Sequence, residues 1–288
     1  MVAGAGDSQC AAFGAGVVDP GPVSEMAGSS SCLNSAVADP VEDPRVTHYS
    51  HVVPDRYTTE LGVNTTGAAV EWAVRRLGFA GFAELAEEAQ RFRRRQRRGS
   101  DPDPVEMAPL FLPYLGDGER DDPAVRAAFL GLSDRHDRPA LAWAVLEGVA
   151  QALRATLAPL RAAGPVRGLR VAGGGGRAFT FNSIADVTPE RIALAGGGGR
   201  LAILAQLKAD TLGVPVTRLE ADTAATGAAL LAAVAVGLAP QAQAAISALV
   251  GKARIVRPAA WWTEVADTRA AWFEQVRHDP AVHDWRSR

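Results

Sequence analysis

The most regular hydrophobic pattern lies near the middle of the chain. Leu141, Val145, Val149, Leu153 and Leu157 recur every four residues within Ala140–Ala163, and this spacing predicts a long helix with one core-facing stripe. Upstream, two apolar runs in Val23–Val37 flank the polar Gly28-Ser29-Ser30-Ser31, which predicts a hairpin with a ligand-accessible turn. Ala38–Thr47 is rich in Pro and Asp and reads as a loop. His48–Val53 and Tyr57–Val63 alternate as two strands. Ala69, Trp72, Ala73 and Arg76 fall at helical spacing in Gly67–Leu77, with Thr65 or Thr66 available as the cap. Phe82–Arg98 reads as a charged amphipathic helix, and LFLPYLGDGERDDP as a strand entering a Gly/Asp-rich turn. Residues 1–18 read as a strand end, a Gly-Asp turn and a helix, and Thr223–Leu238 as a helix of small residues able to pack closely. Trp261, Trp262, Trp272, Phe273 and Trp285 mark a C-terminal helix over the core edge. Early hairpins followed by strand–helix units predict an α/β domain with a mixed sheet.

A tetraglycine occurs twice, at Gly173–Gly176 and Gly196–Gly199. Each follows an apolar run and precedes a helix-like stretch. Glycines let a ligand approach the backbone, and helix N-termini favour phosphate. The G-x-G-x-x-G pattern of a dinucleotide fold is absent from both copies.

Composition narrows the field. The 288 residues are 48% hydrophobic with net charge −2, enough for one large domain and no general polyanion binder. Lysine occurs only at 208 and 252. Cys10 and Cys32 make neither a disulfide framework nor a zinc site, so a cytoplasmic setting is expected. The mostly apolar Ala224–Ala239 is too short and too rich in Ala and Gly to span a bilayer. RFRRRQRR, ending the Phe82–Arg98 segment, reads as a nucleic-acid patch or as a solvated helix end; no aromatic or basic companion supports the first, so no nucleic-acid partner is expected. Glu119, Asp121 and Asp122 read as a metal site or as a solvated turn. The scattered histidines predict no zinc site. The opening MVAGAGDSQCAAFGAG has the look of mid-domain sequence, which suggests a missing N-terminal partner region.

The segments VAGAGDSQCAAFGAGVVDPG, AGSSS, HYSHVVPDRY, LFLPYLGDGER, LAWAVLEGVAQALR and AGGGGRLAILAQLKADTLGVPV–ATGAALLAAVAVG resemble, in order, the C-terminal half of the FGGY carbohydrate kinases, xylulokinase-type members above all. That resemblance implies an actin-like, ribonuclease-H-like domain with a mixed sheet flanked by helices. It implies ATP-dependent phosphoryl transfer to the hydroxyl of a pentulose or related sugar, with Mg²⁺ accompanying ATP. It also implies a separate N-terminal domain carrying a DxGTT-type motif and most sugar contacts. Residues 1–288 would form one such nucleotide-binding domain, with 80–104 a surface insertion and 258–288 a C-terminal covering helix.

The resemblance assigns roles residue by residue. Asp7, in a GAGD turn, matches the general base; its plain structural role would be a helix N-cap. Gly28 and Ser29 match a Gly-Thr-Ser turn at the ATP phosphates, and otherwise make an ordinary hairpin turn. Gly67 and Glu71 match a glycine and a polar residue beside the nucleotide; Glu71 otherwise reads as a surface helix residue. Gly196, Gly197 and Gly198 match the glycine loop at adenosine and the α-phosphate, with the first tetraglycine as the alternative site. Leu201-Ala202-Ile203-Leu204 stands where the family has a polar Ser-Pro-Leu-Trp run. That departure favours a rival reading, a non-catalytic nucleotide-binding remnant or half of a split kinase. A lone half would expose an apolar face, so a homo-oligomer is a further expectation.

Overall fold

A computed structural model describes residues 4–98, 107–116, 118–163, 168–173, 181–183, 201–218, 222–238, 246 and 253–283. The chain opens with helix α1 (Asp7–Gly14), followed by the hairpin β1 (Pro22–Ala27) and β2 (Ser31–Val37). Then come β3 (Thr47–Ser50), β4 (Tyr57–Val63), α2 (Gly67–Arg76) and α3 (Phe82–Arg98). β5 (Leu110–Leu112) and β6 (Ala128–Leu130) form a small separate sheet ahead of α4 (Arg138–Thr156) and α5 (Ala158–Ala163). β7 (Gly168–Gly173), β8 (Phe181–Ser183), α6 (Ala202–Leu212), β9 (Val216–Arg218), α7 (Thr223–Ala235) and β10 (Arg254–Val256) follow. α8 (Thr263–Arg277) and the single turn α9 (Pro280–His283) end the described chain.

The main sheet runs β10-β9-β7-β1-β2-β4-β3, with β8 on β7. β1, β2, β4 and β3 pair antiparallel, whereas β7 joins β1 in parallel and β9 joins β7 in parallel. Hairpins need only short turns, but each parallel pairing needs a crossover, and the chain supplies long helical segments for both. The expected mixed sheet is therefore present. β3 stops at Ser50 instead of continuing to Val53, because the His51 amide donates to Arg56 O at 3.0 Å and closes a turn. After the first tetraglycine, the next described element is the strand β8 rather than a helix.

α4 carries the predicted apolar repeat but is buried on nearly every side, from Pro139 through Leu153. It lies between the sheet and a second helical layer, touching α3, α6, α2, α8 and β4. Its cap is Asp137, which accepts the Ala140 amide at 3.1 Å, and Pro139 sits in the first turn. Segment 80–104 carries α3, whose Leu85, Ala89 and Phe92 are buried, with Phe92 against Trp143 at 5.6 Å between ring centroids. The arginine run at its end is partly consumed in holding this helix. Arg93 pairs with Asp210 at 2.8 Å and lies over Trp261, Arg95 pairs with Asp137 at 2.7 Å, and Arg91 pairs with Glu88 at 3.1 Å. In the 258–288 segment, α8 buries Val265, Ala266, Ala270 and Phe273 and ties itself to α4 through the buried Arg269–Glu147 pair at 2.6 Å.

α1 and α7 cross with no side chain between them. A methyl group on Gly227 would collide with the Cys10 carbonyl, and one on Gly14 with the Thr223 carbonyl. Neither glycine has positive φ, so the requirement is proximity alone. Gly227→Ala is expected to cost about 3 kcal/mol by forcing the helices apart. Urea denaturation of the variant measures it.

Candidate active site

β1 and β2 divide the sheet surface by simple alternation. The register Met26↔Cys32↔Gly62 puts these three residues on one face, and Glu25↔Leu33↔Leu61 puts these on the other. The first face carries a cavity of about 190 Å³ lined by Asp7, Met26, Ser30, Cys32, Glu60 and Arg120, among others. Asp7 therefore meets the end of the hairpin turn in one cavity.

Asp7 is exposed and is the first residue of α1; the cap is Gly6. Its Oδ1 accepts the Ser8 amide at 2.8 Å, so its capping role is not the expected one. A carboxylate in the first turn of a helix is favoured by the helix dipole. Ser8 Oγ donates to Glu60 Oε2 at 3.4 Å, and Arg120 Nη1 stands 3.6 Å from Glu60 Oε1 with its guanidinium over Gly62. Burial, then the Glu60 carboxylate, push the Cys32 thiol far above its ordinary range, so it stays protonated and neutral.

Gly28, Ser29 and Gly67 come together. Gly67 N donates to Gly28 O at 3.1 Å, while Thr66 N and Ala68 N both donate to Ser29 O at 2.9 Å. A side chain on Gly67 would run into Gly28 O. The turn carbonyls thus cap α2, and the hydroxyls of Thr65 and Thr66 do not. Thr65 Oγ1 donates instead to Pro113 O at 2.6 Å. This has a chemical consequence: the first amides of α2 are spent on the hairpin and are closed to phosphate. The amides and hydroxyls of Ser29 and Ser30 have no hydrogen-bond partner among the described residues. Glu71 sits one turn further along α2, exposed and 3.9 Å from Arg75. Gly196, Gly197 and Gly198 lie outside the described residues.

Sequence reasoning passed over a buried group beneath the turn. Lys208 Nζ, on α6, donates to both Glu25 oxygens at 2.6 and 2.9 Å, and both side chains are essentially without solvent. Ser31 Oγ donates to Glu25 Oε1 at 2.8 Å and lies 2.9 Å from Thr66 Oγ1. Two lysines in the whole chain, one of them inside an apolar helix, were the available signal.

The acidic turn is also committed. Glu119 accepts the Asn64 amide at 2.9 and 3.1 Å, and Arg277 takes Asp121 at 2.5 Å. Among the described residues, no three metal-ligating side chains gather. Burial raises the Glu119 carboxyl to about 7, against the opposing Asn64 bond. A carboxyl whose folded pKa is raised contributes stability below its unfolded pKa of 4.5 and loses it as pH rises through 7. Glu119→Gln is expected to flatten this slope, so wild type should lose stability relative to the variant between pH 4.5 and 7. Urea midpoints across that range measure the difference.

A mixed sheet of this order, with helices on both faces and a carboxylate beside a serine-rich turn, defines an actin-like, ribonuclease-H-like domain. The chain belongs to the FGGY family of carbohydrate kinases: the model of the family's C-terminal domain matches residues 24–236. The xylulose kinase of Staphylococcus epidermidis is 29% identical over 271 residues, spanning 90% of this chain and 47% of that protein. A glycerol kinase of Bordetella parapertussis is 30% identical, spanning 81% and 42%. The crystal structure of xylulose kinase from Rhodospirillum rubrum superposes with a TM-score of 0.76 at 28% identity, covering 99% of this chain and 52% of that one. The chain spans about half the length of these relatives.

Proposed function

We propose that this chain is the nucleotide-carrying C-terminal half of an ATP-dependent sugar kinase. The observation that carries the reading is the single cavity shared by Asp7 and the end of the serine turn. Asp7 is the base: Oδ1 is held by the Ser8 amide, which leaves Oδ2 to take the proton of the acceptor hydroxyl. Ser29 and Ser30 offer amide and hydroxyl donors of the kind that hold phosphate oxygens. Gly67 lets α2 close against that turn, and Gly196–Gly198 are assigned to the adenosine end. Glu71, paired with Arg75, is the weakest member of the set.

ATP supplies the phosphoryl group, and positioning with charge stabilisation supplies the catalysis. Mg²⁺ is read as a companion of the phosphates, since the described side chains offer it no cage. The acceptor is a pentulose or related polyol; relatives named for xylulose and for glycerol leave the choice to the other half of the cleft. A separate N-terminal domain is the expected partner, because one wall of a closing cleft transfers little by itself. Both cysteines are free, in keeping with a cytoplasmic setting, and no helix among the described residues is long and apolar enough to cross a membrane. The rival, a nucleotide-binding remnant, draws on the apolar Leu201-Ala202-Ile203-Leu204.

Calorimetric titration with ATP and ADP, with and without Mg²⁺, tests the reading. Binding that is lost in Gly67→Val supports it, since that side chain would displace the turn. Absence of binding by the folded wild-type chain overturns it. Addition of an N-terminal kinase half, followed by sugar-dependent ADP release, separates the kinase from the remnant.

A further inference from the structure

We propose that the buried Glu25–Lys208 pair is a positioning device that fixes the Gly28–Ser30 turn relative to helix α6. The proposal rests on the reading of that turn as a holder of phosphate.

Ser31 has one hydroxyl proton, and the carboxylate of Glu25, an acceptor only, takes it. The 2.9 Å contact between Ser31 and Thr66 must then be donated by Thr66. Its hydroxyl proton is thereby directed at Ser31, while the Thr66, Gly67 and Ala68 amides turn to the carbonyls of Ser29 and Gly28. Each step is buried: Glu25 is 0% exposed, Lys208 1%, Ser31 2% and Thr66 3%. The chain of bonds thus runs from α6, through β1 and the start of β2, to the N-terminus of α2 and back to the turn.

Stability alone gives no reason for a charged pair at this place. Well-packed apolar side chains of similar volume generally serve as well or better. What an ion pair adds is direction. Lys208 engages both oxygens of Glu25, which leaves the carboxylate only a narrow range of orientations in which it can also accept from Ser31. α6 opens three residues after Gly199 in the sequence, so Lys208 anchors the turn to the element into which the second glycine run leads. Alternation along β1 places Glu25 on the sheet face opposite Met26 and the Asp7 cavity, so the pair acts through the turn and touches no reactant.

The test compares wild type with the double variant Glu25→Leu/Lys208→Met, which replaces the pair by apolar groups. Thermal unfolding, ADP affinity by calorimetry, and hydrogen exchange at the Gly28, Thr66, Gly67 and Ala68 amides are read together. The expected result is a folded protein with a near wild-type melting temperature, ADP affinity lowered at least about ten-fold, and faster exchange at those four amides. A folded double variant with wild-type affinity and wild-type exchange overturns the proposal. Should the double variant fail to fold, Thr66→Val and Ser31→Ala break the relay without touching the charges, and the same two readouts decide. If wild type binds no ADP, the phosphate reading fails by itself, and exchange alone then decides whether the pair fixes the turn.

Discussion

The Asp7→Asn variant is expected to phosphorylate sugar about 10²- to 10⁴-fold more slowly than wild type, the range for loss of a general base. The amide keeps the shape and the acceptor that holds the Ser8 N–H, but it cannot take a proton. Asp7 is exposed and bonds only its neighbour among the described residues, so removal of its charge should cost less than about 1 kcal/mol of stability. Nucleotide affinity should stay near wild type, because Ser29 and Ser30 are untouched. The measurement is sugar-dependent ADP formation, with xylulose and glycerol as acceptors, by the chain joined to an N-terminal kinase half. A loss of only two- or three-fold would remove Asp7 from the chemistry and leave it as a helix-end residue.

Lys208→Met alone should be the most destabilising single change considered. It strands the Glu25 carboxylate in a site closed to solvent, and breaking a buried pair from one side costs about 3–5 kcal/mol. Burial already pulls the Lys208 ammonium below its ordinary pKa, and the Glu25 charge opposes that pull. The price of desolvation is thus met by one partner only. At about 2–4 °C per kcal/mol for domains slightly smaller than this one, the melting temperature should fall by about 10 °C. Urea denaturation of Lys208→Met beside the Glu25→Leu/Lys208→Met double variant separates the two contributions. The single variant should be much the weaker. Equal midpoints would mean that Glu25 finds another partner or water when the lysine is gone.

Local patterns in the sequence were good guides to local structure. The Val23–Val37 hairpin, the Gly67 helix and the long α4 all follow from spacing and turn chemistry. The fold family followed from ordered segments that span most of the chain. What escaped was set by distance. Glu25 and Lys208 are 183 residues apart, and no periodicity links them. The all-round burial of α4 depends on a second helical layer, which a four-residue repeat does not reveal. Thr66 looked like a side-chain cap because capping preferences are local, whereas its hydroxyl is claimed by Ser31 and the turn carbonyls do the capping. Gly28, Ser29 and Gly67 lie in separate sequence motifs that the α2 amides join, and Asp7 shares a cavity with Ser30 at the end of that turn; both meetings belong to the sheet.

The alternation along β1 also guards against mispairing. Sliding β1 by one residue against its neighbours would turn Glu25 into the cavity beside Asp7 and Glu60, and set the thioether of Met26 against the ammonium of Lys208. Like charges would crowd on one side while a lone cation was stranded on the other. The register of the hairpin is therefore held electrostatically on both faces of the sheet at once.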